Sequence, residues 1–190
     1  MPQKKPNGFT LVELMVTVGV LAVLAVLAAP SFAALIEKSR LRGATDDVVS
    51  LLNVARGEAV KRQRNVTVAL GGTTTAWCLG ANRAPDPAVG QPTAGSTACD
   101  CTTASSCTLE NQNPVVDSAS YSGVTSSTAT GSVTFNAQMG TLTPIAPAPG
   151  AVTFTSSTGR FAIQVSVSPL GQVGACIPAG SAGIIGYPSC

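Results

Sequence analysis

From Leu14 to Ile36 the chain carries no charge and consists mainly of Leu, Val and Ala. About 20 apolar residues cross a bilayer core as a helix, so this run is long enough to span one. A secretory signal has a similar outline: a basic start at Lys4 and Lys5, an apolar stretch, and a small-residue cut after Ser31-Phe32-Ala33. Two features argue against a discarded signal. A helical pattern continues beyond Pro30, and Glu13 lies inside the apolar stretch, where an acid costs about 2–3 kcal/mol to insert. Such an acid needs a cationic partner, and no nearby residue supplies one.

The distribution of charge gives the chain its organisation. Lys4 and Lys5 mark a short basic leader, followed by the apolar rod. A basic stalk comes next, with Lys38, Arg40, Arg42, Arg56, Lys61, Arg62 and Arg64 against Glu37, Asp46, Asp47 and Glu58. The rest holds Arg83 and Arg160 against Asp86, Asp100, Glu110 and Asp117. This is a membrane-anchored layout. The chain has no His, which removes the commonest general base, the Ser-His and Cys-His pairs and most zinc sites. A net charge of +2 does not by itself imply a nucleic-acid partner. No enzyme, cofactor or metal site is expected.

The stretch Lys4-Lys5-Pro6-Asn7-Gly8-Phe9-Thr10-Leu11-Val12-Glu13-Leu14 resembles the leader and first residues of a type IV pilin. The resemblance implies cleavage by prepilin peptidase between Gly8 and Phe9, followed by N-methylation of Phe9. It also supplies the missing cation, because Glu13 would meet the α-amine of Phe9 on a neighbouring subunit. Methylation leaves that amine charged, and a paired charge is tolerated in apolar surroundings where a lone one is not.

Past Pro30, which would kink the helix rather than end it, Leu41, Ala44, Val48, Leu51 or Leu52, Ala55 and Ala59 recur at helical steps. A helix from Phe9 to Arg62 would be roughly 80 Å long. The segment Ala55-Arg56-Gly57-Glu58-Ala59-Val60-Lys61-Arg62 before Val66-Thr67-Val68 is similar to the GspH/FimT branch of pilin-like proteins. Lys61, Arg62 and Arg64 cluster at the helix end. Interaction with the helix dipole accounts for them, and weak polyanion contact is the sharper alternative.

The body reads as short strands: Val66–Leu70, Thr75–Leu79, Ser132–Asn136, Val152–Ser156, Phe161–Val167 and Gln172–Ile177. Gly71-Gly72 is a hairpin signal between the first two. The fold expected is α+β and pilin-like, one long helix packed on an antiparallel sheet. Residues 1–8 are the leader, 9–36 the transmembrane and filament-core helix, 37–64 the amphipathic stalk and 65–190 a disulfide-stapled body. Ser and Thr dominate the stretch from Thr93 to Ser132, which can bury little apolar surface.

The six Cys of a translocated chain read as a disulfide framework. Cys176 and Cys190 bracket a Pro/Gly-rich tail with little else to pin it, and closing that loop contributes roughly 3 kcal/mol. Among Cys78, Cys99, Cys101 and Cys107, joining Cys99 to Cys101 is sterically poor. Two arrangements remain, and Cys78–Cys101 with Cys99–Cys107 is preferred. A zinc reading of these Cys lacks a His and suits a reducing compartment better. Trp77-Cys78, Cys99-Asp100-Cys101 and the tail up to Cys190 also look like minor pilins of this branch. The Asn65-Val66-Thr67 tripeptide matches a glycosylation acceptor, but the match is common and uninformative.

The expected function is that of a minor type IV pilin, in the bacterial inner membrane with its body in the periplasm, and later in the extracellular pilus. Its partners would be other minor and major pilins, prepilin peptidase and the inner-membrane assembly platform. The alternatives are a minor pseudopilin of type II secretion and a DNA-binding pilin. DNA binding is disfavoured, because relatives that bind it share a Gly-Arg-x-Arg segment where this chain has Gly171-Gln172-Val173-Gly174.

Overall fold

The computed structural model describes residues 8–84, 98–109, 114–144 and 150–190, and the side chains at 29 and 30 are not described. The chain divides into two compact units, Met1–Ile36 and Glu37–Cys190.

One helix, α1, runs from Leu11 to Arg62 and does not end at position 30. Thr10 caps its start: the hydroxyl accepts the Glu13 N–H at 3.2 Å, satisfying a donor that has no intrahelical acceptor. Its end is a Schellman motif. Gln63 adopts φ 53° while Arg64 N–H reaches the Ala59 carbonyl at 3.0 Å and Gln63 N–H reaches Val60 at 3.3 Å. The apolar stripe is buried as its spacing predicts: Leu41, Ala44, Val48, Leu51, Leu52, Ala55 and Ala59 all lie in the core. Thr45 is buried beside them, and its hydroxyl donates back to the Leu41 carbonyl at 2.8 Å.

The body holds two four-stranded antiparallel sheets. The first has the order β3 (Val115–Asp117), β2 (Trp77–Arg83), β1 (Val66–Gly72), β5 (Gly131–Phe135); the second runs β4 (Thr125–Ser126), β6 (Ala151–Thr155), β7 (Ala162–Val167), β8 (Val173–Cys176). Val68, Leu70 and Leu79 of the first sheet and Phe154, Val165 and Val167 of the second meet Val48 and Leu52 of the helix around an apolar cavity of about 80 Å³. Trp77 packs 4.8 Å from Phe154, and its indole N–H donates to the Val124 carbonyl at 2.9 Å. A buried Trp needs such an acceptor.

Three features differ from the sequence expectation. A single sheet is replaced by two: the first three expected strands pair in one and the last three in the other, while β3 and β4, three and two residues long, come from the Ser/Thr-rich stretch and complete one edge of each. The second strand starts at Trp77 rather than Thr75. Gly71 and Gly72 belong to β1, paired with Cys78 and Trp77, and the turn is Thr73–Ala76. Thr73 N–H donates to the Ala76 carbonyl at 3.1 Å, and Ala76 N–H donates to the Thr73 hydroxyl at 2.9 Å. Gly72 is still required: its φ is 91°, and a Cβ there would collide with the Ala76 carbonyl.

Candidate functional site

The N-terminal unit offers an uncovered apolar surface. Leu11–Ala28 is long and apolar enough to cross a membrane, and none of it is buried. Gly8, Phe9 and Thr10 precede the helix in non-helical backbone, with Phe9 exposed. The leader from Met1 to Asn7 lies outside the described residues. Glu13 occupies the first turn of α1, where the unpaired N–H groups and the helix dipole favour an acid. Within one chain, then, its backbone is capped while its carboxylate is exposed.

The cysteines form three bridges, Cys78–Cys101, Cys99–Cys107 and Cys176–Cys190. The first two cover the face of β1 and β2 that carries Ala69, Gly71, Cys78 and Gly80, opposite the face holding Val68 and Leu79. Two glycines make room for them. A Cβ on Gly71 would lie 3.2 Å from Cys101 Sγ, and one on Gly80 would overlap Cys107 Sγ and sit 3.1 Å from Cys99 Sγ. Asp100, between two of the bridged Cys, spends its carboxylate on its own turn. It accepts from Thr102 N–H and hydroxyl (2.9 and 2.6 Å) and from the Thr103 hydroxyl (3.0 Å). The Thr102 hydroxyl, above all, holds that carboxyl below the usual range.

The tail closed by Cys176–Cys190 is further tied by Ile177 N–H to the Pro188 carbonyl at 2.8 Å and Cys190 N–H to the Ile177 carbonyl at 3.0 Å. It is anchored to the stalk by Tyr187, whose phenol donates to Asp46 Oδ1. On the adjacent helix position Asp47 accepts from Tyr121. Both phenols are pushed up to about 12, Tyr121 first by its hydrogen bond to Asp47, Tyr187 first by burial and then by Asp46. Sequence reasoning found neither pair. Their members are 141 and 74 positions apart, and nothing local marks them.

The basic cluster at the end of α1 is internally engaged. Lys61 Nζ lies 3.1 Å from Glu58 Oε1 and Arg62 Nε lies 3.4 Å from Glu58 Oε2, so one acid faces both cations. Arg64 donates to the Ala84 carbonyl at 3.3 Å. Arg56 works inside the fold, donating to the carbonyls of Gly140 (3.1 Å) and Leu170 (3.3 Å). Asn65 is a scaffold residue, its Oδ1 accepting the Ala137 N–H at 2.9 Å. Gln172 precedes β8 and Gly174 lies in it, leaving both guanidinium positions of the DNA-binding pattern neutral.

The chain matches the family described as type II transport protein GspH over residues 44–171, and the prokaryotic N-terminal methylation motif over residues 3–29. Among solved structures, it is similar to the type IV minor pilin FimU of Pseudomonas aeruginosa at 20% identity and a TM-score of 0.47, covering 72% of this chain and 88% of that one. No curated protein matches it.

Proposed function

Because this chain belongs to the GspH family of pilin-like proteins and carries their N-terminal methylation motif, we propose that it is a minor type IV pilin of the FimT/FimU kind. The precursor is cut between Gly8 and Phe9 by prepilin peptidase, Phe9 is N-methylated, and the product enters the priming or tip complex beside other minor and major pilins. The inner-membrane assembly platform drives that entry. The role is structural: the apolar helix is first held in lipid and then buried among the helices of its neighbours. The observation that carries the reading is the coincidence of the methylation motif with a helix whose apolar residues the chain leaves uncovered. In that bundle the Glu13 carboxylate pairs with the methylated Phe9 amine of the next subunit and sets the axial register, since an unpaired acid there is expensive.

Intact-protein mass spectrometry tests this. The mature chain should begin at N-methyl-Phe9, and Gly8→Ala should leave uncut precursor. A chain beginning at Ala34 would overturn both the anchor and the processing. A second reading, a minor pseudopilin of type II secretion, is supported by the description of the matched family. Deletion separates them: loss of surface pili with secretion intact favours the pilus, and the reverse favours secretion.

A further inference from the structure

The first charged residues beyond the apolar run are Glu37, Lys38, Arg40 and Arg42. At 1.5 Å per residue, Lys38, Arg40 and Arg42 lie only about 3, 6 and 9 Å along the helix from Ile36. This proximity is covalent. A fourth cation joins them from the β6–β7 turn: Lys38 Nζ sits 4.9 Å from the ring centre of buried Phe161, and Arg160 Cζ sits 5.4 Å from the same centre. Arg40 is steadied by the Ser122 carbonyl at 3.3 Å, and Arg42 lies 5.9 Å over the Tyr187 ring. None of the four makes an ion pair among the described residues.

The acids nearby do not cancel this charge. Glu37 accepts from the hydroxyls of Thr158 at 2.8 Å and Ser157 at 3.4 Å, and it is one acid against four cations. Asp46 lies one helical turn, about 6 Å of rise, from Arg42 and shares Tyr187 with it, so it offsets part of that one charge, while from Lys38 it is about 12 Å along the helix, beyond the ~8–10 Å screening length of physiological salt.

We propose that Lys38, Arg40, Arg42 and Arg160 form a basic collar that binds anionic phospholipid headgroups at the membrane surface from which the N-terminal helix emerges. This rests on the reading of the Leu14–Ile36 run as a membrane span. The collar reaches the headgroup layer because the chain itself places it there, and headgroup phosphates attract clustered Lys and Arg. It holds the body at the surface until the helix is withdrawn into a filament.

The test uses the full chain in nanodiscs of mixed phosphatidylcholine and phosphatidylglycerol, with spin-labelled versions of each lipid reporting their relative association. The parent should prefer phosphatidylglycerol about threefold at low salt, and high salt should remove the preference. The variant Lys38→Gln/Arg40→Gln/Arg42→Gln/Arg160→Gln should fall to near parity, while Lys38→Arg/Arg42→Lys should keep the preference. If the quadruple variant fails to form the three disulfides, Lys38→Gln/Arg160→Gln should still lose about half of the effect. Parity in the parent, or a preference unchanged by neutralisation, overturns the proposal. Parity in the parent together with lost pilus incorporation of the variant assigns the collar to an acidic protein partner instead. A chain that does not enter the nanodisc overturns the membrane span, and the collar with it.

Discussion

Tyr187 donates its phenol proton to Asp46 Oδ1 at 2.5 Å, tying the disulfide-closed tail to the stalk helix across 141 positions of sequence. The next helix residue, Asp47, holds Tyr121 in the same way. Consecutive helix residues point about 100° apart, so two neighbouring acids can fasten two different segments of the body.

These pairs make stability depend on alkaline pH. Both phenols are pushed up to about 12 in the fold, whereas an unfolded Tyr titrates near its ordinary 10. A raised folded-state value means the contribution is complete below about pH 10 and is lost as pH rises through about 12. The double variant Tyr121→Phe/Tyr187→Phe should be less stable than the parent at neutral pH by about 1–2 kcal/mol. That difference should shrink between pH 10 and 12. Thermal melts of both proteins across this range check it, and a constant difference would contradict it.

Gly80 should be intolerant of any side chain. A Cβ there would overlap Cys107 Sγ and lie 3.0 Å from Cys101 Cβ. Gly80→Ala should therefore destabilise by roughly 3 kcal/mol or lower the yield of the Cys99–Cys107 bridge. Gly131→Ala is the control, since a Cβ at that position meets nothing within 4 Å. Non-reducing peptide mapping and denaturant melts of the two variants should separate cleanly.

Gln63 carries a removable strain. It closes the helix at φ 53°, a position that glycine occupies without steric penalty. Gln63→Gly should stabilise the body by up to about 1 kcal/mol, visible as a raised melting temperature. A destabilised variant would mean that the Gln side chain contributes more than its backbone costs.

How far the sequence could be read follows from the range of each interaction. The stripe from Leu41 to Ala59 was legible because helical period and burial are properties of one segment. The cysteine layer was partly legible, because steric exclusion of Cys99–Cys101 leaves two arrangements and spacing does not choose between them. Nor does it show that Gly71 and Gly80, brought under the sulfurs by a β1–β2 register in which Gly71 pairs with Cys78, leave the room that both bridges occupy. The segments of β6, β7 and β8 were legible, but not that they form a sheet of their own, whose edge strand β4 is two residues with a partner, β6, 25 or more positions away. Arg56 was misleading for the same reason: it reads as stalk surface yet bonds carbonyls 84 and 114 positions off.

DNA affinity should be weak. Phosphate recognition draws on guanidinium forks, and Gln172 and Gly174 supply none. Of the basic cluster, Lys61 and Arg62 already face Glu58, so recruiting them to phosphate means competing with that acid. Non-specific affinity scales with the number of phosphates neutralised and is lowered by salt, so few contacts leave little binding at physiological salt. Anisotropy titration at physiological salt should give no micromolar binding to duplex DNA. Low-salt binding should weaken when Lys61, Arg62 and Arg64 are neutralised. Tight binding that survives their neutralisation would put a receptor role first.

Two substitutions separate the Glu13 backbone from the Glu13 carboxylate. Its backbone N–H is held by the Thr10 hydroxyl at 3.2 Å, which fixes where α1 begins. Its carboxylate has no part in that cap. Glu13→Ala should therefore keep the helix start and insert into the membrane as well as the parent or better, relieved of about 2–3 kcal/mol of acid insertion cost. Incorporation into filaments should nevertheless fall, because the partner amine of the neighbouring subunit loses its counter-charge. Thr10→Val reverses the damage: it loses about 1 kcal/mol of capping but keeps the carboxylate, and should be incorporated far better than Glu13→Ala. Immunodetection of each variant in sheared pili and in the membrane fraction gives both numbers. If Glu13→Ala reaches the pili as efficiently as the parent, no ion pair sets the register of this subunit. If Thr10→Val fails as badly as Glu13→Ala, the helix start rather than the charge is what assembly reads.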